Sequence, residues 1–433
     1  MTRVVLLGGG YVTLHAYAAI ARRLGGMLRR GEVELVVVTA DPCHSFHGFT
    51  GEVLAGLLPY ERTRTPVAAA CRHARVEHGV VVSVDRDRRT LTWLPAGETT
   101  THVMGWDHLV VGLGGREPTG QVPGLAEHGW TLRGPGDIAR LAARVGQLAG
   151  SPEDAAAPVE AGGGPLVVVA GGGLAGVELA AAVADRGAGR VRVELVHGGS
   201  ALVPELAGSQ PRLARRAADE LDRLGVGVRC GARLEEVGEG HAVLSDGTVL
   251  DAAAVIATTG QRPVRLPGLG DGLRDLRGRL VTAPDLSVVD GVWAAGDAAR
   301  VAHPVTGEPV PANALWAIKA GRHLGANVAR SIAGRPTRPF RYRGLGRAAS
   351  FGMGRSVAEL YGVPFTGVLA WVLRLVFFLR FMPDRRTAAR TLADTARAVY
   401  QVAGRPDRRR VRSARSGTAR DVPALTDPAV EAA

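Results

Sequence analysis

Cysteine is scarce in this 433-residue sequence, which contains only Cys43, Cys71 and Cys230. These three lie far apart and form no CxxC or CxxxxC pair, which argues against a disulfide framework and against a redox-active dithiol. Long apolar runs are also missing, because no uncharged stretch reaches the roughly 20 residues that a helix needs to cross a bilayer. The N-terminus enters a strand without a charged and then apolar leader, which argues against a signal peptide.

Lysine is nearly absent, since Lys319 is the only one and arginine supplies almost all of the basic residues behind the net charge of +12. Eleven Arg against four Asp lie between Asp384 and Asp421, so much of the excess is close to the C-terminus. The rest of the chain is only mildly basic and offers no basic recognition element, which argues against nucleic-acid binding. We expect residues 401–433 to form a disordered basic tail. The alternative is a tail that contacts an anionic membrane surface.

Apolar runs alternate with helical patterns along most of the chain, as in RVVLL, ELVVV, VRVELV and AAAVIATTG. Such alternation predicts an α/β fold with parallel sheets covered by helices on both faces. Residues 76–115 are typical of a β-meander followed by a buried strand, and Asp246-Gly247 predicts the turn of a hairpin. Residues 150–165, rich in Ala, Gly and Pro, have the composition of a loop.

One pattern of strand, glycine turn and helix occurs twice, in VVLLGGGYVTLH (4–15) and VVVAGGGLAGVELA (167–180). The first glycine of such a turn permits the bend, the second lets the backbone approach a pyrophosphate, and the third lets the helix pack close to the strand. The helix N-terminus then supplies free N–H groups and a partial positive charge. Two such turns predict two bound dinucleotides, one with a flavin and one with a nicotinamide.

The two copies differ at the third glycine position. Gly171, Gly173 and Gly176 fill all three positions of the second copy, whereas Thr13 replaces the third glycine of the first. A branched residue at that position should hold the helix slightly off the strand. A further strand, GVWAAGD, ends in Gly296-Asp297, where a carboxylate can accept hydrogen bonds from the ribityl hydroxyls of a flavin; the alternative is an ordinary turn.

GGGYVT, HLVVGLGG, GGGLAGVELA, IATTGQRP and GVWAAGDAA follow one another in the order typical of the pyridine nucleotide-disulfide oxidoreductase superfamily. The resemblance covers about residues 1–345. Within that superfamily the chain is most similar to type II NADH:quinone dehydrogenases, through residues 41–56 and the C-terminal stretch 365–382. The resemblance implies two Rossmann-like dinucleotide-binding domains, for FAD and NAD(P), with three-layer parallel sheets and a C-terminal helical membrane-associating segment. The expected bounds are 1–115 and 290–345 for the FAD-binding domain, 116–289 for the NAD(P)H-binding domain, 346–400 for a membrane-associating or dimerisation segment, and 401–433 for the tail.

The resemblance also implies a set of site residues. Glu178 is expected beside the flavin and the nicotinamide as a catalytic residue, and Lys319 is the second catalytic candidate, bonding the flavin or a polar acceptor; the alternatives are a carboxylate that caps its own helix and a surface lysine. No metal site is expected. The predicted cofactor-binding residues are Gly8, Gly9, Gly10, Tyr11, Val12, Thr39, Ala40, Val82, Gly114, Gly171, Gly173, Leu174, Gly176, Glu178, His197, Thr259, Gly260, Gly296, Asp297, Ala314 and Leu315.

Some positions depart from the pattern of the family. Thr39 stands where an acidic residue would bind the adenosine ribose of FAD, and Asp41 is the candidate substitute. His197 stands where an acid would select NADH, which predicts weak discrimination against NADPH; the alternative is an exposed loop histidine. Leu315 and Lys319 replace two glutamines that usually line the quinone slot, which weakens the case for a quinone. Cys43 is either a buried small residue or a lone redox thiol.

The expected activity is that of an FAD-dependent NAD(P)H oxidoreductase, which passes hydride from NADH or NADPH to the flavin N5 and then electrons to a quinone-like acceptor. The alternatives are a soluble NAD(P)H-dependent reductase of a ferredoxin or small acceptor, and a degenerate flavoprotein redox sensor. Residues 365–382 predict a helix in the membrane surface, with Arg374 and Arg380 on one polar flank; the alternative is a helix buried in a homodimer interface or against the flavin domain. The expected location is cytoplasmic, on the inner face of the cell membrane.

Overall fold

The computed structural model describes residues 1–150 and 163–403. Most of the predicted loop at 150–165 and almost all of the predicted tail at 401–433 therefore lie outside the described residues.

The described elements follow the predicted alternation over most of the chain. The strands are β1 (Thr2–Leu7), β2 (Val33–Thr39), β3 (Cys43–Ser45), β4 (Arg64–Pro66), β5 (Arg75–Asp85), β6 (Thr90–Pro95), β7 (His102–Gly105), β8 (His108–Val111), β9 (Gly115–Arg116), β10 (Leu166–Ala170), β11 (Arg192–His197), β12 (Gly227–Cys230), β13 (Leu234–Gly238), β14 (His241–Leu244), β15 (Val249–Asp251), β16 (Ala254–Ala257), β17 (Arg262–Pro263), β18 (Leu280–Val281), β19 (Ser287–Val289), β20 (Val292–Ala294), β21 (Ala299–Arg300), β22 (Gly346–Ser350), β23 (Ser356–Leu360) and β24 (Val363–Thr366). The α-helices are α1 (Tyr11–Arg29), α2 (Thr50–Leu54), α3 (Val67–Ala70), α4 (Leu125–His128), α5 (Asp137–Ala149), α6 (Leu174–Gly187), α7 (Pro204–Ala207), α8 (Pro211–Arg223), α9 (Ala314–Ile332), α10 (Gly367–Phe381) and α11 (Arg385–Ala403).

The larger sheet has the strand order β19-β20-β8-β1-β2-β5-β6-β7. Strands β20, β8, β1, β2 and β5 run parallel, and β5, β6 and β7 form the predicted antiparallel meander. Strands β1 and β2 lie in the middle of the sheet, and both contain continuous apolar runs. This composition is expected where helices cover both faces of a strand, because neither face is then exposed to solvent. The second part of the FAD-binding domain was expected to begin at residue 290. Strand β19 lies before that residue and already pairs with β20 in this sheet.

The second sheet is parallel, in the order β12-β11-β10-β16, and carries the second glycine turn after β10. Strands β14 and β15 pair as the hairpin predicted around Asp246-Gly247 and extend a three-stranded antiparallel sheet with β13. The predicted α/β class, with two parallel-sheet units of Rossmann type, is confirmed.

The glycine turns bring backbone atoms closer than a side chain would allow. Gly8 has φ +92°, and a Cβ there would lie 2.7 Å from the carbonyl oxygen of Gly112. Gly171 has φ +116°, and a Cβ there would lie 2.5 Å from Oγ1 of Thr258. A Cβ on Gly176 would collide with the carbonyl oxygen of Gly171, so α6 packs directly on the end of β10.

Thr13, at the third position of the first turn, is fully buried. Its hydroxyl donates to the carbonyl oxygen of Leu7 at 3.1 Å. The space for its side chain comes from Gly112, the residue that directly follows β8, where a Cβ would lie 2.7 Å from Thr13 Oγ1. The threonine is therefore accommodated by a glycine across the sheet, which the motif alone does not indicate.

The C-terminal segment begins with strands rather than with a helix. Strands β22, β23 and β24 form an antiparallel sheet, and α10 and α11 follow it. Phe378 of α10 contacts Phe46 and Phe49 edge to face, with ring centroids 5.9 and 5.6 Å apart. Among the described residues, none of the helices combines the length and apolar character needed to cross a membrane.

The close contact between Thr13 and Gly112 predicts that substitutions at these two positions have coupled effects on stability. Replacing Gly112 by Ala should lower the free energy of unfolding by about 1–3 kcal/mol, because the new methyl group overpacks against Thr13. The loss should shrink when Thr13 is also replaced by Ala. Denaturant unfolding of both single variants and the double variant measures this coupling.

Gly120→Ala is the matched control, because a Cβ at Gly120 meets no atom within 4 Å. Additive losses in the double variant would contradict the proposed contact.

Candidate active site

A cleft of about 310 Å³ opens at the carboxyl ends of β1, β2 and β8. Ligands of open α/β sheets bind at this end of the strands. The close backbone approach at Gly8 and the absence of a side chain at Gly9, where a Cβ would lie 2.8 Å from Thr39 Oγ1, leave the turn free to receive a pyrophosphate. The structure brings these predicted residues together around the cleft: Gly8, Gly9, Gly10, Tyr11, Val12, Thr39, Ala40, Gly114, Gly296 and Asp297.

Two neutral histidines line the cleft beside the first turn. His44 Nδ1 lies 3.0 Å from the carbonyl oxygen of Gly9, and its Nε2 is buried without a hydrogen-bond partner among the described residues. Burial lowers the pKa of His44 to about 4 and that of His47 to about 3. The hydroxyl of Tyr11 accepts from the backbone N–H of His47 at 3.0 Å. His44 lines the cleft, so its buried nitrogen without a partner is consistent with a polar ligand at this position. The residues present therefore fit a flavin dinucleotide.

Asp297 shares the cleft with an arginine that the sequence did not single out. Its carboxylate lies 3.2 Å from Arg133, which also approaches Glu117 at 3.8 Å. Burial raises the pKa of Asp297, although Arg133 opposes this shift. Arg133 follows no recognisable motif, so no sequence signal pointed to it.

The end of β2 differs from the arrangement expected for an acidic ribose ligand. Thr39 is buried, and its hydroxyl donates to the backbone oxygen of Asp41 at 2.8 Å. Asp41 lines the cleft, with Oδ1 accepting from Arg64 at 2.7 Å and from the backbone N–H of Cys43 at 2.8 Å. Asp41 is thus the carboxylate at this corner, held in place by Arg64.

Four predicted residues on β5 and α9 do not line the cleft. Val82 is exposed, and Val81 lines the cleft instead, next to a shift in the strand register between Val81 and Ser83. On α9, Ala317 faces the cleft, because successive helical residues point in directions about 100° apart. The three predicted residues on this helix, Ala314, Leu315 and Lys319, are not among the cleft-lining residues.

Lys319 belongs to a different surface. Its Nζ lies 5.6 Å from the ring centroid of Tyr342 and 5.8 Å from that of Phe381. It lines a groove with His15, Arg22, Arg322, Arg380 and Arg385, and among the described residues that line this groove none is acidic. Lys319 and Glu178, the two predicted catalytic residues, therefore lie at different sites.

The second glycine turn lies at the surface of the second sheet. The backbone N–H of Gly172 donates to His197 Nδ1 at 3.2 Å, and that of Leu174 to Glu205 at 3.4 Å. Thr259 and Gly260 follow β16 and are exposed, while the neighbouring Thr258 hydroxyl donates to the carbonyl oxygen of Ala170 at 2.8 Å. His197 thus lies at the turn as predicted, and Glu205 is a neighbour that the sequence did not reveal.

Glu178 belongs to a buried cluster of three charged groups. Arg374, which is only 4% exposed, lies 3.2 Å from Glu178 and 2.5 Å from Glu52. The backbone N–H of Ser350 donates to Glu178 at 2.7 Å. Burial and the nearby Glu52 raise the pKa of Glu178 to about 7, although Arg374 opposes the shift.

The place of Arg374 corrects one prediction. Arg374 and Arg380 were expected on a shared polar flank of one helix, but Arg374 points inward and Arg380 is exposed. Two carboxylates inside the fold attract Arg374, and its guanidinium stacks on Phe378, 4.6 Å from the ring centroid.

A narrow pocket borders this cluster, between α2, α6 and the C-terminal helices. Its walls are mainly apolar, and its charged lining residues are Glu52, Glu178, Asp185 and Arg374. The principal apolar lining residues are Phe49, Ala55, Leu57, Leu58, Met353, Trp371 and Leu375.

The sequence profile of the pyridine nucleotide-disulphide oxidoreductases matches residues 2–321. The chain belongs to the pyridine nucleotide-disulphide oxidoreductase family. It is therefore an oxidoreductase, with FAD and a pyridine nucleotide as its cofactors.

Several relatives of this family are similar over most of their length. An NADH dehydrogenase-like protein of Mycobacterium tuberculosis is 32% identical over 69% of this chain and 73% of its own. The type II NADH:quinone oxidoreductase Ndh of the same organism is 27% identical over 90% of this chain and 86% of its own. The demethylphylloquinone reductase NdbB of Synechocystis is 26% identical, over 88% and 92%.

The fold is similar to that of a solved family structure, NDH2 from Plasmodium falciparum in complex with NADH. That structure matches with a TM-score of 0.78 and covers 94% of this chain and 99% of its own, at 12% sequence identity.

The buried cluster predicts a pH-dependent stability effect. Replacing Arg374 by Met leaves two partly buried carboxylates without their cation, which should cost about 3–5 kcal/mol of unfolding free energy at pH 8. Because the pKa of Glu178 is already raised to about 7 in the folded protein, protonation relieves the unpaired charge at lower pH. The cost should therefore be smaller at pH 6. Denaturant unfolding at both pH values measures it.

Arg380→Met is the control on the same helix, because Arg380 is exposed and should cost little. A loss at Arg374 that is equal at both pH values would contradict the pKa assigned to Glu178.

Proposed function

We propose that this protein is an FAD-dependent NAD(P)H dehydrogenase that delivers electrons to an apolar, quinone-like acceptor. The observation that carries the proposal is the mainly apolar lining of the pocket beside α6, where Glu178 supplies a carboxyl group of raised pKa. A quinone is apolar and takes up protons as it is reduced, so it needs both features. Two relatives, one mycobacterial and one cyanobacterial, are named for reactions with quinones, which supports the same assignment.

The residues of the first cleft would hold FAD. Gly8, Gly9 and Gly10 present the turn and the N-terminus of α1 to the pyrophosphate, and Asp297 with Arg133 forms the polar end of the cleft. When bound, the flavin supplies the chemistry of accepting hydride from NAD(P)H and passing on electrons. His44 and His47 are neutral, so they present hydrogen-bonding groups without charge.

The second turn would bind the nicotinamide dinucleotide through Gly171–Gly176 and the N-terminus of α6. Glu178 lies one turn further along the same helix, at the edge of the apolar pocket. With a pKa of about 7 it holds its proton in about half of the molecules at neutral pH, and Arg374 stabilises the ionised form once that proton has left. We propose that Glu178 donates a proton to the reduced acceptor. This places its role on the acceptor side rather than beside the nicotinamide.

Glu178→Gln separates the two halves of the reaction. The variant should be reduced by NADH within about two-fold of the wild-type rate, and its reoxidation by a short-chain quinone should slow by about ten- to hundred-fold, because an amide cannot donate the proton. Wild-type reoxidation should also fall as the pH rises through about 7, whereas the variant should not follow this profile. Anaerobic stopped-flow absorbance of the flavin measures both steps.

Glu127→Gln, an exposed change on α4, is the control and should leave both steps unchanged. Slower reduction by NADH in Glu178→Gln would instead support a role beside the nicotinamide. A ferredoxin that reoxidises the protein faster than any quinone would overturn the choice of acceptor.

We further propose that α10 contacts a membrane surface. Val368, Leu369, Val372 and Val376 repeat at helical spacing, and all four are exposed. The groove that contains Lys319, Arg322, Arg380 and Arg385 lies at the C-terminal end of this helix and carries no acidic residue among its described lining. An exposed apolar face next to basic residues fits a helix that lies at an anionic lipid surface.

Replacing Val368, Leu369 and Val372 together by Ser should lower binding to vesicles of mixed neutral and anionic phospholipid by at least about ten-fold, since each side chain contributes on the order of 1.5 kcal/mol or more when buried. Vesicle sedimentation of the full-length protein measures the bound fraction.

The same change at Val228, Val249 and Val305, which are exposed elsewhere, is the control. Equal vesicle binding by the α10 variant and the wild type would exclude α10 as the contact.

A further inference from the structure

Two amide groups of the second glycine turn, those of Gly172 and Leu174, donate to side chains of the protein itself. The backbone N–H of Leu174, the first residue of α6, donates to Glu205 Oε1 at 3.4 Å. A Cβ placed on Gly173 would lie 2.8 Å from the same carboxylate oxygen. The N–H of Gly172 donates to His197 at 3.2 Å. The carboxylate of Glu205 thus lies beside Gly173 and accepts from the Leu174 amide, at the turn that a dinucleotide pyrophosphate would need.

Backbone contacts hold the segment that carries Glu205 close to the turn. The N–H of Val203 donates to the carbonyl oxygen of Gly172 at 2.7 Å. Arg347 of β22 donates to the backbone oxygen of Glu205. These contacts do not involve the carboxylate, so a change of the Glu205 side chain leaves the segment in place. The side chain itself is exposed and has room to swing away.

A carboxylate and a pyrophosphate compete for the same site, because both are anions that accept hydrogen bonds from free N–H groups at a helix N-terminus. Like charges in such proximity also repel each other. We propose that Glu205 is a built-in competitor of the nicotinamide dinucleotide: it binds the turn when the nucleotide is absent and lowers the affinity for the pyrophosphate. The inference rests on the proposed binding of NAD(P)H at this turn.

The consequence for the reaction is faster exchange of nucleotide. A carboxylate that returns to the amides when the oxidised nucleotide leaves stabilises the empty turn, so affinity is lower. Mutational changes of affinity of this kind act mostly on the dissociation rate. The alternative role for Glu205, hydrogen bonding to a ribose hydroxyl, predicts the opposite sign, because its removal would then weaken binding.

The test is the affinity of the flavin-loaded, full-length protein for ADP-ribose, which carries the pyrophosphate but no reactive nicotinamide. Glu205→Gln and Glu205→Ala should each lower the dissociation constant by about two- to five-fold at low salt, the range that corresponds to displacing one carboxylate from a helix N-terminus. The gain should shrink at high salt, because screening weakens the repulsion. Titration calorimetry gives the constants.

Glu235→Gln removes the same charge from an exposed position on β13 and should leave the constant unchanged. Unchanged or weaker binding by both Glu205 variants, with normal binding by the wild type, would overturn the role of Glu205. Failure of the wild type to bind either ADP-ribose or NADH would refute the nucleotide site itself, so the two failures are distinguishable.

Discussion

Both nucleotide turns depend on backbone atoms that approach more closely than any Cβ would permit. At Gly8 and Gly171 the chain turns with positive φ against the neighbouring strand, and at Gly176 the helix packs directly on the turn. Because these contacts fix where each helix begins, they also fix where the free N–H groups point. The first turn opens into a large cleft, and the second lies at the surface under Glu205.

The C-terminal segment contributes a buried arginine that pairs with two carboxylates of the nucleotide-binding units. Arg374 reaches back from α10 to Glu52 and Glu178, and this pairing joins the C-terminal helix to both nucleotide-binding units. A guanidinium this deeply buried needs carboxylate partners, since an unpaired charge in the interior is costly. The same pairing keeps two carboxylates beside the apolar pocket, where burial raises the pKa of Glu178 to about 7 although Arg374 opposes the shift. Stability and the proposed proton transfer therefore depend on one cluster.

Side chains that the motif does not specify adjust both turns. Gly112 makes room for Thr13, so the first turn tolerates a branched residue where a third glycine is usual. Arg64 holds Asp41 at the corner where Thr39 replaces an acid. At the second turn, His197 and Glu205 accept hydrogen bonds from the amides. The choice between NADH and NADPH stays a prediction, which rests on His197.

Local pattern by itself determined the α/β class, the two glycine turns, the meander and the hairpin, because strand alternation and glycine spacing act within a few residues. It also placed Gly8–Val12, Gly296 and Asp297 at one site, since the carboxyl ends of parallel strands meet at one edge of the sheet. Only the tertiary structure decided the partners of Arg374, Arg133 and Glu205, and it moved the cleft contacts from Val82 and Leu315 to Val81 and Ala317. These depend on the rotation of a helix, the register of a strand and contacts between distant residues, such as Arg374 and Glu52, which are 322 positions apart. No local spacing encodes those quantities.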